Sequence, residues 1–247
     1  MNPTKNTIFM TGGTSGIGLG LALRFRDLGN KVIISGRRKD LLDQLAAEHE
    51  GLETVELDVA DPASIAAAFE AVTTAHPDLN VLITIAGIMQ LENLLDPAHQ
   101  QTAEETININ LLGTIRTIAT FTPFLITRPD AAVITVSSGL ATVPLAITPT
   151  YNATKAAVHS YTQSLRLQLA DTSVQVIELV PPAVRTTLLG QQDDERAMPL
   201  EDYLTEAMEL IQQQPHADEI LVERVKFLRL AEREGRFDQT LAAVNSH

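Results

Sequence analysis

Three side chains near the middle of the sequence have the types and spacing of a proton-transfer device. Tyr151 and Lys155 stand four residues apart in Tyr151-Asn152-Ala153-Thr154-Lys155, a spacing that puts both on one face of a helix, a turn apart. A free phenol has a pKa of about 10. An ammonium one turn away stabilises the phenolate and draws that value toward the pH at which acid/base catalysis is most efficient. Ser138, thirteen residues before Tyr151, lies in Val136-Ser137-Ser138-Gly139 and offers a hydroxyl able to polarise the same substrate oxygen. Tyr-x-x-x-Lys is common by chance, so its meaning depends on what surrounds it.

One such surrounding is the run Thr11-Gly12-Gly13-Thr14-Ser15-Gly16-Ile17-Gly18. It follows an apolar strand and opens a helix. Glycines at that junction let the backbone turn tightly and approach a pyrophosphate, which then rests on the free N–H groups of the helix N-terminus. The spacing is neither Gly-x-Gly-x-x-Gly nor that of a triphosphate P-loop, which would need a Lys-Ser/Thr. At the end of the second strand, where an acidic residue would hold the ribose 2′-hydroxyl of NAD, stand Gly36, Arg37 and Arg38. No carboxylate repels a 2′-phosphate there, and Arg37 can pair with one through two N–H groups, which favours NADP over NAD.

Short apolar runs alternate with longer helical patterns. Strands are expected at 7–11, 31–35, 53–57, 81–85, 131–136 and 174–180, and helices at 17–28, 41–49, 62–76, about 103–124, and 150–170. Asp61 is the natural N-cap and Pro62 the first residue of the third helix; Thr148 and Pro149 play those parts before Tyr151. Strands apolar on both faces and separated by helices predict a single-domain, doubly wound parallel sheet of Rossmann type, covered by helices on both sides. The whole chain, 1–247, reads as one domain. A polar stretch at 190–199 suggests a substrate lid over about 187–213. After Glu219 a seventh strand and a helix fit equally well.

Composition narrows the partners. The 247 residues carry a formal net charge of −13 and no cysteine. Nucleic acid and anionic membrane are thus disfavoured, and a disulfide framework, a thiolate nucleophile and Cys-ligated metal are excluded. The denser acidic group Asp193, Asp194 and Glu195 reads as solvated surface. The six histidines have no metal-ligand spacing, so no metal is expected; His159, one turn beyond Lys155, either borders the site or packs against a neighbour. No run approaches the ~20 apolar residues of a membrane span, and the first residues lack a signal-peptide pattern, so a cytoplasmic protein is expected.

Taken in order, TGGTSGIG, the Asn-x-x-Gly of Asn110 and Gly113, VSS and YNATK resemble the short-chain dehydrogenase/reductase family, over about residues 7–188. The tail VERVKFLRLAEREGRFD and the segment GLATVPLAITPTY resemble its bacterial DltE-like branch. That resemblance implies an oxidoreductase moving hydride between a nicotinamide and a carbonyl or secondary alcohol. Tyr151 would be the acid/base, Ser138 would hold the substrate oxygen, and Lys155 would bind the nicotinamide ribose and depress the Tyr151 pKa. Asn110 would anchor the water of a proton relay, with Asn108 as the competitor that spacing disfavours. Besides Gly12, Thr14, Ser15, Gly16, Ile17, Gly18, Arg37 and Arg38, the cofactor contacts implied are Asp58 and Val59 at the adenine and Ala86 and Gly87 beside its ribose. Pro181, Val184 and Thr186 would sit at the nicotinamide carboxamide.

The sequence also departs from the family pattern. Thr84-Ile85 replaces an Asn-Asn whose amides brace the sheet centre, Pro182 replaces a glycine, and a Gly-rich C-terminus is missing. Ile88, Met89, Leu91, Leu140, Val143, Leu145 and Leu189 suggest a hydrophobic ketone or alcohol as substrate. The two long helices, paired in the family's dimers, imply a homodimer or homotetramer. The alternatives are a non-catalytic NADP-binding regulatory protein and a non-redox lyase or epimerase on the same scaffold.

Overall fold

The computed structural model describes residues 1–246. Seven parallel strands lie in the order β3-β2-β1-β4-β5-β6-β7. They are β1 (Thr7–Thr11), β2 (Lys31–Gly36), β3 (Leu52–Glu56), β4 (Val81–Thr84), β5 (Ala132–Val136), β6 (Gln175–Leu179) and β7 (Glu219–Ile220). Between them run α1 (Gly16–Asp27), α2 (Lys39–Glu48), α3 (Pro62–Ala75), α4 (His99–Thr106), α5 (Thr114–Leu125), α6 (Pro149–Gln168) and α7 (Leu200–Gln213); α8 (Glu223–Arg229) and α9 (Phe237–Asn245) close the described chain. The expected Rossmann-type doubly wound sheet is the observed one.

The two faces of the sheet follow from strand periodicity. Ile8 and Met10, with Val32, Ile34, Val81, Ile83 and Ile134, point to a core closed by α1, α2 and α7. Phe9, Ile33, Leu82, Val133 and Val176 point the other way, into a core closed by α3, α5 and α6. There Phe9 stacks on Phe121 with ring centres 5.1 Å apart. Both faces are buried, so crossing helices cover the sheet completely and its C-terminal edge is the place left for a ligand.

Local chemistry sets the helix starts unevenly. Asp61 caps α3 by accepting from the Ala63 N–H at 2.9 Å, and Pro62 follows as expected. Thr148 occupies the cap position of α6, but its hydroxyl donates to Leu145 O and the Asn152 side chain instead of capping the helix. The chain after residue 218 forms both structures the sequence left open, a two-residue strand and then α8.

The lid segment divides in two. Residues 187–191 and 194, 196 and 197 border the cleft. Further on, α7 buries Tyr203, Leu204, Ala207, Met208 and Ile211, and the Leu204 methyl sits over Gly20 of α1. The second half of the expected lid is therefore core. Arg185 ties down the first half by donating to the carbonyls of Asp194, Ala197 and Glu195.

At the sheet centre, the bracing expected of amides comes from a hydroxyl. Thr11 Oγ1, on the last residue of β1, accepts from the N–H groups of Ile85 and Ala86 at 3.2 and 3.3 Å. This accounts for how the chain leaving β4 is held although Thr84-Ile85 brings no amide side chain. Thr11→Val keeps the shape and strands both N–H groups, so it is expected to lower the unfolding free energy by about 1–3 kcal/mol in a denaturant titration. Unchanged stability would show that another group satisfies them.

Candidate functional site

A cleft of about 1590 Å³ runs along the C-terminal edge of the sheet. Every residue assigned from sequence to cofactor or catalysis lines it except Asn110, which stands just behind. At one end the Gly12–Gly18 loop passes from β1 into α1. Gly12 has φ +67, and a Cβ there would lie 2.6 Å from Ala86 Cα; a Cβ on Gly18 would lie 2.2 Å from Gly12 O. Side chains are thus excluded where the backbone must fold on itself, leaving the α1 N-terminus open to an anion. Arg37 and Arg38 follow β2, both exposed on the cleft and without a side-chain hydrogen bond or ion pair among the described residues. In a chain of net charge −13, two unpaired guanidinium groups beside the phosphate loop are a local reversal of sign. Asp58, Val59, Ala86, Gly87, Pro181, Val184 and Thr186 form the walls between. Glycine cradle, anion seat and adjoining slot together fit a dinucleotide.

At the other end stand Ser138, Tyr151 and Lys155. β5 delivers Ser138 at its C-terminal end, and α6 carries Tyr151 and Lys155 on its inner face. All three are buried. Lys155 Nζ donates to Val136 O at 2.8 Å and lies 5.7 Å from the centre of the Tyr151 ring. Burial pushes the Tyr151 phenol up to about 12, with the neighbouring Ser138 hydroxyl pulling it down. Burial also pushes Lys155 down to about 8, while the Glu178 carboxylate raises it. Ser138 Oγ accepts from the Leu140 N–H at 3.1 Å, which fixes its direction.

Asn110 belongs to a feature no periodicity announced. Helix runs unbroken from α4 to α5, but its middle, Ile107–Gly113, is π-helical. Such an insertion bulges a helix and is frequent at functional sites. It turns Asn110 inward, where its amide donates to Ile88 O and accepts from Ile88 N, both at 2.8 Å. It also donates to Thr154 Oγ1 on α6 at 3.3 Å. Gly113 permits the approach of β3's following loop, since a Cβ there would meet Val59 Cγ2 at 2.9 Å. Asn108 faces elsewhere, accepting from Arg116.

The apolar part of the cleft contains Ile88, Met89, Leu91, Leu140, Leu145 and Leu189 as expected. Val143 is a correction: it is fully buried and lies outside the cleft. Sequence reasoning missed Ile147, in the loop before α6, and Phe227, Leu228, Ala243 and Val244, which α8 and α9 bring to the same wall. Asn245 pins α9 there, accepting from Ala146 N at 2.7 Å and donating to Pro144 O at 3.1 Å. Behind the site, His159, Glu178 and Glu219 bring their polar atoms within 4.8 Å of one another. Arg229 closes that cluster by pairing with Glu219 at 2.6 Å and facing His159 at 3.2 Å, which ties it into an ion-pair network.

The buried lysine gives a pH test. Its folded value of about 8 lies below the 10.5 of an unfolded lysine, so the unfolded chain binds more protons between those values and folding gains stability as pH rises through them. Against Lys155→Met, the wild type is expected to gain roughly 3 kcal/mol between pH 8 and 10.5. A constant difference across that window in chemical denaturation would contradict the lowered proton affinity of Lys155.

Comparison with known proteins gives this geometry a setting. The family model described as short chain dehydrogenase matches residues 6–197. The uncharacterized oxidoreductase DltE of Bacillus subtilis is 38% identical over 252 residues, covering 100% of this chain and 99% of that protein. The NADP-dependent 3-hydroxy acid dehydrogenase YdfG of Salmonella typhi is 33% identical, over 77% of this chain and 79% of its own. Among solved structures, a short chain dehydrogenase from Burkholderia cenocepacia in complex with NADP superposes with a TM-score of 0.83 at 24% identity, over 98% of each chain.

Proposed function

The chain belongs to the short chain dehydrogenase family of oxidoreductases, and on that premise we propose that it is an NADP(H)-dependent carbonyl reductase or alcohol dehydrogenase acting on a small hydrophobic molecule. The observation that carries the reading is the burial of Tyr151 beside Lys155 in a cleft continuous with the Gly12–Gly18 loop. When bound, the nicotinamide supplies or takes up the hydride. In reduction, Tyr151 passes its phenolic proton to the substrate oxygen while Ser138 donates a hydrogen bond to it. The phenolate left behind is stabilised by the Lys155 ammonium. In oxidation the same groups run in reverse. Asn110, in this reading, anchors the water through which the proton reaches solvent.

NADP in preference to NAD is supported by Arg37 and Arg38 without acidic partners and by Gly36 where a carboxylate would stand. The NADP-dependent relative from Salmonella typhi and the NADP complex from Burkholderia cenocepacia are consistent with it. The apolar wall favours a hydrophobic substrate, and an intact Ser138–Tyr151–Lys155 set counts against a non-catalytic regulatory protein. No helix among the described residues is long and apolar enough to cross a membrane; a cytoplasmic location remains part of the proposal. So does a homodimer or homotetramer, supported by Ile107, Leu112 and Leu167, which stand exposed on the π-helical segment and α6.

A panel of ketones with NADPH and NADH tests the reading. Tyr151→Phe is expected to lose about 10²–10⁴-fold in rate; retention of full rate would remove Tyr151 from its role. Arg37→Ala is expected to weaken NADPH binding about tenfold or more while leaving NADH binding nearly unchanged. Equal losses for both cofactors would count against a 2′-phosphate contact.

A further inference from the structure

Beneath the Tyr151–Lys155 pair lies a charged group that the proposed reaction leaves unused. Glu178, on β6, has a side chain only 1% exposed. Its Oε1 accepts from the Ser137 hydroxyl and from His159 Nδ1 at 3.0 Å, and its Oε2 faces the same Nδ1 at 2.8 Å. A carboxylate this deep costs free energy unless hydrogen-bonded and balanced by a positive charge. The hydrogen bonds are the two just named; the balance has to come from a cation close by.

The state of His159 follows from its other neighbours. Arg229 can only donate, and its guanidinium faces His159 Nε2 at 3.2 Å; the Gln163 side-chain nitrogen faces it too, at 3.1 Å. Nε2 is therefore an acceptor, and the ring proton sits on Nδ1, pointed at Glu178. His159 thus presents its Nδ1 to Glu178 and its Nε2 to Arg229. Glu219 on β7 engages Arg229, so that guanidinium's charge is already matched. The remaining cation is Lys155, one helical turn before His159 on α6. Its ammonium is fixed on Val136 O, the carbonyl next to the residue whose hydroxyl holds Glu178.

We infer that Glu178, held in place by Ser137 and His159, is a positioning residue that holds Lys155 in its cationic form. The inference rests on the reading of Tyr151 and Lys155 as the acid/base pair and adds what sustains the charge on which that pair depends. A fully buried lysine is driven toward neutrality, and a neutral amine would no longer stabilise a phenolate. Glu178 acts against that drive from inside the protein, whatever occupies the cleft. The charged and titratable groups around it are Lys155 and His159 of α6, Glu219 of β7 and Arg229 of α8.

The test reads Lys155 directly. The protein has five lysines, at 5, 31, 39, 155 and 226, so ¹³C-labelled lysine side chains can be followed by NMR titration, with Lys155 assigned from Lys155→Met. In the wild type Lys155 is expected to titrate near 8. In Glu178→Gln, which keeps the shape and removes the charge, the midpoint is expected to fall by about one pH unit or more, with the other four unmoved. A folded Glu178→Gln protein whose Lys155 midpoint stays in place would overturn the inference. Should that variant not fold, His159→Leu leaves the strand intact, and a smaller downward movement is expected; none would overturn it equally. Tyr151→Phe separates this from the proposed function. Full carbonyl-reducing activity in Tyr151→Phe would sink the reaction while leaving the lysine titration to stand or fall alone.

Discussion

An ammonium group inside the protein is the constraint around which the other parts of the site are arranged. Lys155 makes one hydrogen bond to the backbone, with Val136 O, and is buried at the point where β5 and α6 meet. An unbalanced charge there would be expelled or neutralised. Three separate elements must then be in register: the end of β5 to offer the carbonyl, α6 to deliver the side chain, and β6 to carry the opposite charge of Glu178. The parallel sheet provides that register, because β5 pairs with β6 from Ala132–Gln175 to Val136–Leu179.

The same sheet separates two jobs in space. On the β1–β2 side, the edge is glycine-rich and lined with unpaired arginines, suited to an anion. On the β5–β6 side its Ser138, Tyr151 and Lys155 side chains are buried, which suits them to shifted proton affinities. Between them, Thr11 holds the start of the β4 loop and so fixes the spacing of the two halves. The apolar wall draws on both parts of the chain: Ile88, Met89, Leu91, Leu140, Leu145 and Leu189 lie within the stretch matched by the family model, while Phe227, Leu228, Ala243 and Val244 of α8 and α9 lie beyond it.

Much of this was legible in the sequence because it depends on local patterns. Alternating apolar strands and helices gave the sheet, and Gly12–Gly18 gave the loop. Asp61 and Pro62 gave a helix start, and a four-residue spacing gave the Tyr151–Lys155 pair. What escaped depends on contacts between distant segments. Thr11 is one more β-branched residue in a strand until the chain from β4 comes within 3.3 Å of its hydroxyl. Val143 looks like a cleft residue by proximity to Leu140 and Leu145, yet turns into the core. Glu178 stands in an otherwise apolar strand, and its hydrogen-bond partners Ser137 and His159 lie 41 and 19 positions away. The first half of the expected lid borders the cleft, while the residues of α7 buried against α1 show only in the packing of distant segments.

The π-helical turn at Ile107–Gly113 ties the inside of the protein to its outside. Each residue of a regular helix advances the azimuth by about 100°, so one extra residue per turn rotates everything downstream by that amount. Asn110 meets Ile88, and Ile107 and Leu112 face solvent, under a single angular phase. The direction of the amide beside the cleft and the direction of the outward apolar ridge cannot be set independently. A mutation that relaxed the bulge to regular helix would turn both at once, coupling the interior hydrogen-bond pattern to whatever surface the ridge presents.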